Sequence, residues 1–455
     1  MRQIRILHTN DIHSHFDAYP KLATFLQKEK TDNPTALVDI GDNMDRFHPI
    51  TEATRGKGNT KLLQLLQYDF VTIGNNEGIT LEYKELSELY KEARFSILIA
   101  NLYEQAGNRP VWTKPYELKD YDGITVAFIG LTVFYEHFYS LLGWKMEDPF
   151  LSLEKHIPSM KQEADIIVVL SHLGISDDEE IARRFPDIDV ILGGHTHHVL
   201  PEGRFIGNTL VCGAGKYGQY IGEVNLTFDM DRSELVKKHA KLHKLEFFEP
   251  DKQVVETIKE MQIEANETLN QKVGFLTESL PVKWFSRSIF PDVLANKLKE
   301  WCEADVGMVN SGVLLDGLQE GEVTLGMLHR ICPHPINPCR VVLTGEEFRE
   351  VVQQALDPEM EQLRVKGFGF RGEVMGRMAF SGVRFDKEPV ADGTSIITAI
   401  YVGDKFLSSS DKISIGTIDM FTFGRMYPSI IRAKEKKFYL PELLRDVLAH
   451  TFSCE

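Results

Sequence analysis

Cysteine is scarce and unpatterned in this sequence. There are five in 455 residues, Cys212, Cys302, Cys332, Cys339 and Cys454, with no CxxC pair. An odd number without regular spacing excludes a disulfide framework. Positive charge is also in short supply. Lys and Arg number 51 against 67 Asp and Glu, a formal net charge of -16, which excludes a broad basic surface for nucleic acid polymers. No apolar run is long enough to span a bilayer. The opening residues, Met1-Arg2-Gln3-Ile4-Arg5-Ile6-Leu7-His8, lack the apolar core of a secretory leader. These absences lead to the expectation of a reduced, cytoplasmic protein with no membrane partner. Small phosphate ligands stay open to an acidic chain wherever charge is inverted locally, and metal ions do that.

A chain of this length exceeds one hydrophobic core, so at least two domains are expected. The first half alternates short apolar runs with helix-like stretches. Strands are expected at Ile4–Leu7, Ala36–Ile40, Phe70–Ile73, Ile97–Ala100, Ile124–Leu131, Ile166–Leu170 and Val190–Leu192. Helices are expected near Lys21–Lys30, Lys61–Gln67 and Leu81–Ala93. That alternation implies an α/β domain with covered sheets. Between Phe247 and Gln271, Val254, Val255, Ile258, Met261, Ile263 and Ala265 recur at roughly helical spacing amid charges, the pattern of a helix connecting two domains. Beyond Val273 the texture is α+β. The expected division is 1–246, a linker helix over 247–272, and 273–455.

Five short motifs each follow an expected strand: Asp11-Ile12-His13, Gly41-Asp42-Asn43, Gly74-Asn75-Asn76-Glu77, Ser171-His172, and Gly193-Gly194-His195-Thr196-His197. Taken singly, each has an ordinary explanation. A Gly-Asp after a strand is commonly a helix cap, and a lone His is more often hydrogen-bonded structure than a ligand. Taken together they place Asp, His and Asn in five loops at the carboxyl ends of strands, where α/β sheets build their sites. Imidazole and carboxylate suit borderline divalent metals, and one carboxylate has two oxygens with which to bridge two ions.

The ordered set resembles the DxH, GD, GNH[ED], H and GHxH pattern of the calcineurin-like metallophosphoesterase superfamily. The two-part layout resembles its 5'-nucleotidase and UDP-sugar hydrolase family. The resemblance implies a four-layer αββα sandwich followed by a smaller α+β 5'-nucleotidase-type domain that holds the substrate and closes around the linker. It implies two divalent ions, manganese or zinc, with cobalt, iron, nickel or magnesium as alternatives. Asp11, His13, Asp42 and His197 would hold one ion. Asp42, Asn75, His172 and His195 would hold the other. The implied activity is hydrolysis of phosphate esters or anhydrides, with nucleotides as the small-molecule partners, by in-line attack of a hydroxide bridging the ions.

The sequence departs from the family at the histidine of the third motif, where it has Asn76, and at that histidine's carboxylate partner, where Ile79 and Thr80 stand. Asn76 can donate a hydrogen bond but cannot carry charge or relay a proton. The expected consequence is a preference for activated or anhydride phosphates, or a borrowed histidine, with His198, His48 and His137 as candidates. Asn76 and His198 are therefore the candidate catalytic residues. The alternative reading is a nucleotide-binding sensor that keeps the metals and turns over poorly. In the second half, Asn310-Ser311-Gly312 resembles the family's NxGG(x)R segment but runs on into Val313-Leu314-Leu315. Pro333-His334-Pro335-Ile336-Asn337 stands where the family has PFGN, with Arg340 close behind. The resemblance makes Asn310, Asn337 and Arg340 substrate-binding candidates, with Phe380 and Phe421 as the pair that stacks a base. His329, Cys332, His334 and Cys339 offer a competing small zinc site.

Overall fold

The computed structural model describes residues 1–389 and 395–453, so Cys454 lies outside the described residues. The chain divides into two compact units, Met1–Ala265 and Asn266–Glu455.

The first unit is built on two six-stranded sheets. One runs in the order Glu234–Lys244, Tyr220–Asp229, Arg2–Thr9, Thr35–Asp39, Phe70–Val71, Ser96–Ile97. The other runs Arg204–Ile206, Thr209–Gly213, Val190–Gly193, Ile166–His172, Ile124–Thr132, Tyr116–Tyr121. The central strands of each are parallel, and antiparallel strands flank them. The continuous apolar runs follow from burial on both faces. Ile4, Ile6, Val38, Phe70, Phe128, Val168 and Leu170 share one core between the sheets. Ile167 and Val169 point the other way, onto Leu153, Ile157 and Met160 of the Pro149–Glu163 helix and Ile181 of the Ile175–Arg184 helix. Tyr19, Ala23, Ile50, Leu62, Val254, Met261 and Ala265 form a third cluster, and Phe25, on the same helix as Tyr19 and Ala23, packs on Arg5 and His243 of the other sheet. Helix, sheet, sheet, helix is the expected four-layer order.

The helix expected at 247–271 is present as Lys252–Leu269, and the division between the units falls within it. Within the stretch expected as a helix at Leu81–Ala93 the helix is Tyr83–Leu89, and a separate short one, Asn75–Thr80, precedes it. The break is at Leu81, which is fully buried in extended conformation (φ −111°, ψ 146°).

The second unit carries a five-stranded sheet in the order Met378–Ser381, Val306–Asn310, Lys412–Ile418, Pro338–Thr344, Glu435–Phe438. The Ile289–Trp301 helix buries Phe290, Leu294 and Leu298. The Gly345–Ala355 helix begins with a reciprocal cap between Thr344 and Glu347. No helix among the described residues is long and apolar enough to cross a membrane.

Candidate metal centre

In the first unit, every parallel strand that enters the motif set delivers its motif at its carboxyl end. Asp11 and His13 follow Arg2–Thr9, Asp42 follows Thr35–Asp39, and Asn75 follows Phe70–Val71. His172 is the last residue of its own strand, and His195 and His197 follow Val190–Gly193. The loops are tied to one another. Asp11 N donates to Gly41 O (3.0 Å), His13 N to Asp42 O (2.9 Å), and Gly194 N to Ser171 O (2.9 Å). Holding these side chains inward forces the backbone into the left-handed region at Asp11 (φ 52°), His13 (48°), Asp42 (48°), His195 (67°) and His197 (57°). Each such residue costs about 1–3 kcal/mol, a cost ordinary packing does not require.

The side chains fall into two groups, Asp11 with His13 and His197, and Asp42 with His172 and His195. Within each group the potential ligand atoms lie within 4.8 Å of one another. Asp42 stands between them. Its Oδ2 is 3.7 Å from His13 Nε2 and its Oδ1 is 3.5 Å from His172 Nε2. Asp11 Oδ1 lies 3.3 Å from His197 Nε2 and 3.7 Å from His13 Nε2.

The chemistry of the donors fits divalent cations. His172 Nδ1 is 2.7 Å from the carbonyl oxygen of Ile40, so Nδ1 carries the proton and Nε2 offers its lone pair. That Nε2 and the Oδ1 of Asn75 are buried without a hydrogen-bond partner, which a structure rarely tolerates unless another group is meant to meet them. The electrostatics point the same way. Burial disfavours an imidazolium at His172, yet the carboxylate of Asp42 and then that of Asp11 outweigh it and push the pKa up to about 10. A pocket that holds a proton so firmly is a pocket for positive charge.

The third motif gives Glu77 no role of its own, and the structure supplies one. Its carboxylate accepts the backbone N–H groups of Asp42 (3.0 Å), Met44 (3.0 Å) and Gly74 (2.8 Å), clamping two of the loops. Glu77→Ala should leave three buried donors unmet, destabilising by roughly 3 kcal/mol or more. The melting temperature of the protein should fall by roughly 6–12 °C, which circular dichroism would measure. An unchanged melt would mean the clamp is not structural.

Asn76 is brought to the centre, but its side chain is taken up by a neighbour. Its Nδ2 is 2.9 Å from His13 Nδ1, and its N–H donates to Asp42 Oδ1 (2.8 Å). Thr80 Oγ1 donates back to Asn76 O (2.5 Å). The candidate replacement histidines each have local contacts of their own. His198 is exposed with Nδ1 2.9 Å from Thr196 Oγ1. His48 caps the Pro49–Thr54 helix through Nδ1, and His137 packs edge-on against Phe138. Sequence reading misses His15, whose ring lies 4.0 Å from that of Tyr217, itself 5.8 Å from His13. Tyr135 also escapes sequence reading; its hydroxyl is 3.2 Å from His195 Nε2. Nothing local in the sequence marks either tyrosine.

In the second unit, Asn310 and Asn337 lie at the same end of the five-stranded sheet, since Asn310 pairs with Met378 and Pro338 pairs with Ile418. Asn310 Nδ2 donates to Met375 O (2.7 Å) and Asn337 Nδ2 to Glu442 O (2.8 Å). Arg340 is further along its strand, opposite Gly416 and Lys437. Phe380 is half-buried on the edge strand, edge-on to Phe385 at 5.1 Å. Phe421 differs from expectation. It is 0% exposed and packed edge-on to Tyr427 at 4.9 Å, so it is core. The parallel pair is Phe368 and Phe423, with ring centroids 6.4 Å apart and planes 5° from parallel. The competing zinc site is overturned. Among the described residues only the two groups in the first unit have metal-ligand spacing. His334 Nε2 instead faces Val313 O (2.8 Å) and its Nδ1 accepts from Arg371 N (2.9 Å), which uses up both ring nitrogens.

Comparison with known proteins agrees with this geometry. A family model for calcineurin-like phosphoesterases matches residues 4–199, and one for the 5'-nucleotidase C-terminal domain matches residues 267–420. The chain is 44% identical over 454 residues, 98% of each chain, to the metallophosphoesterase YunD of Bacillus subtilis (strain 168). Its fold is similar to that of the NAD nucleotidase of Haemophilus influenzae (TM-score 0.70, 16% identity, 99% of this chain and 96% of that one). It is also similar to the 5'-nucleotidase precursor of Thermus thermophilus (TM-score 0.61, 19% identity, 99% and 96%).

Proposed function

Because the chain belongs to the calcineurin-like phosphoesterases, carries a 5'-nucleotidase C-terminal domain and is therefore a phosphoester hydrolase, we propose that it acts on nucleotides at a two-metal centre. Asp11, His13, Asp42 and His197 hold one cation, and Asp42, Asn75, His172 and His195 hold the other. The observation that carries this reading is Asp42 itself, with one carboxylate oxygen turned toward each group. When bound, two divalent ions polarise phosphoryl oxygens and lower the pKa of water toward neutrality.

The side chains do the rest. Ile40 fixes the face of His172, Asn10 Nδ2 donates to Asp11 Oδ2 (2.7 Å), and Asn76 orients His13. Asn76 is on this reading a positioning residue. The parallel faces of Phe368 and Phe423 support a flat, aromatic substrate group, and base stacking is indifferent to which base is held.

The test is phosphate release, with manganese supplied, from AMP, UDP-glucose, p-nitrophenyl phosphate and glycerol phosphate. Nucleotides should exceed glycerol phosphate in kcat/KM by roughly tenfold or more, the worth of one stacked base. Equal rates would remove the nucleotide preference. Saturable AMP binding with no release of phosphate from any compound would instead favour the sensor reading.

Asn76→His tests the positioning role. It should lose the contact to His13 and weaken manganese binding by about 10–100-fold, the usual price of disturbing a ligand's support. A faster enzyme with unchanged manganese affinity would show that position 76 limits catalysis directly.

A further inference from the structure

The Asn310-Ser311-Gly312 segment is followed by Val313-Leu314-Leu315, and Val313 and Leu314 are fully buried. That loop therefore offers no cation to a substrate. The fold sets a different arginine beside it. Ser311 N donates to Arg377 O (2.9 Å), and Arg377 N donates to Trp284 O (2.6 Å). Arg377 lines a cavity of about 210 Å³ together with Ser286, Ser288, Ser311, Phe380 and Lys387.

The charges around this cavity do not balance. The lining cations are Arg287, Arg377 and Lys387, and the lining carboxylate is Asp292. Asp292 Oδ2 is 2.8 Å from Arg287 Nε, which leaves Arg377 and Lys387. Neither makes an ion pair within 4.0 Å among the described residues. Glu361 acts on Lys387 from further away, yet the ammonium stays below its usual pKa, first through burial and then through the charge of Arg377. Two cations that line one cavity, one acting on the other, repel each other, and an anion between them relieves that repulsion. Hydroxyl donors are at hand. Ser288 Oγ accepts from Lys283 N (2.9 Å) and keeps its own proton to donate. Ser286 makes no hydrogen bond among the described residues.

We propose that Arg377 and Lys387, with the hydroxyls of Ser286 and Ser288, form an anion subsite in the second unit that takes a phosphate group. The guanidinium fork matches phosphate oxygens in pairs, and the ammonium adds a point charge. The choice of phosphate over another anion rests on the hydrolase reading. The phosphate is either the free product or part of a nucleotide.

Calorimetric titration of the full-length, manganese-loaded protein tests this. The probes are inorganic phosphate and, separately, adenosine methylenediphosphonate, which resists hydrolysis. Asp42→Asn should abolish a metal-dependent class of phosphate sites and leave a second class intact. Arg377→Gln should weaken that second class about tenfold or more, as expected for loss of a charge-assisted contact. Lys387→Gln, at an exposed position that folding does not depend on, should weaken it several-fold. If both variants bind both probes as the unsubstituted protein does, the subsite does not exist. An effect on both probes assigns the site to free phosphate, and an effect on the nucleotide analogue alone assigns it to a substrate's phosphate. If AMP hydrolysis is absent altogether while the Arg377-sensitive binding persists, the hydrolase reading fails and the subsite stands.

Discussion

Asp42→Asn should reduce hydrolysis of every phosphate substrate by about 10³-fold or more, beyond the 10–100-fold seen when a ligand merely loses its support. Divalent metal content after dialysis should fall from two equivalents toward none. The reason is geometric, because the two oxygens of Asp42 face His13 and His172, one each. An amide offers one weak oxygen ligand and no charge. The substitution should not unfold the protein. Burial raises the pKa of Glu77 to about 7, and the charge of Asp42 adds to that rise, while the same charge holds the proton on His172, so the substitution removes one repulsion and one attraction in the metal-free state. Stripping metal from the unsubstituted protein should lower its melting temperature by roughly 5–10 °C, if the metal is present at about 100 times its Kd. In the variant, chelation should change nothing. Retention of two metal equivalents would show that Asp42 is not shared. A variant that is unfolded without metal would mark the site as structural.

Gly74→Ala should be nearly as damaging, although position 74 offers no ligand atom. Its φ of −103° and ψ of −163° suit any residue, so the backbone does not demand glycine. Space does. A β-carbon at position 74 would sit 2.0 Å from Asp42 Oδ1 and 2.5 Å from His172 Nε2. One or both of those side chains must move, and a misplacement near 1 Å costs about 10²-fold in rate. Manganese affinity, measured by calorimetry, should fall by a similar factor, and excess manganese should restore part of the activity. Binding and turnover equal to those of the unsubstituted protein would mean that Asp42 and His172 do not meet at that edge. Together the two variants separate the charge of the centre from its shape.

The strand-and-loop plan is legible because its signals are local. Ile166–Leu170 is apolar on both faces, and each motif sits at the end of such a run. The hairpin of Tyr220–Asp229 and Glu234–Lys244 gives no comparable signal. Its second strand, Glu-Leu-Val-Lys-Lys-His-Ala-Lys-Leu-His-Lys, lies at a sheet edge with only Ala240 buried, and a charged edge protects a sheet from pairing further. Phe421 reads as a stacking residue in the sequence and is core in the fold for a related reason. Burial of an aromatic depends on what lies across from it, and only the fold shows Tyr427 there.

Residue type and order alone determined that six Asp and His side chains would gather at the carboxyl ends of parallel strands, because strand direction carries each loop to the same edge. Tertiary structure alone decided what the neighbours of that cluster do. Asn76 reaches His13 across 63 positions of chain, Glu77 reaches Met44 across 33, and Phe368 faces Phe423. Hydrogen bonds and ring contacts act over a few ångströms. A one-dimensional pattern holds no distance between residues so far apart until the backbone has folded.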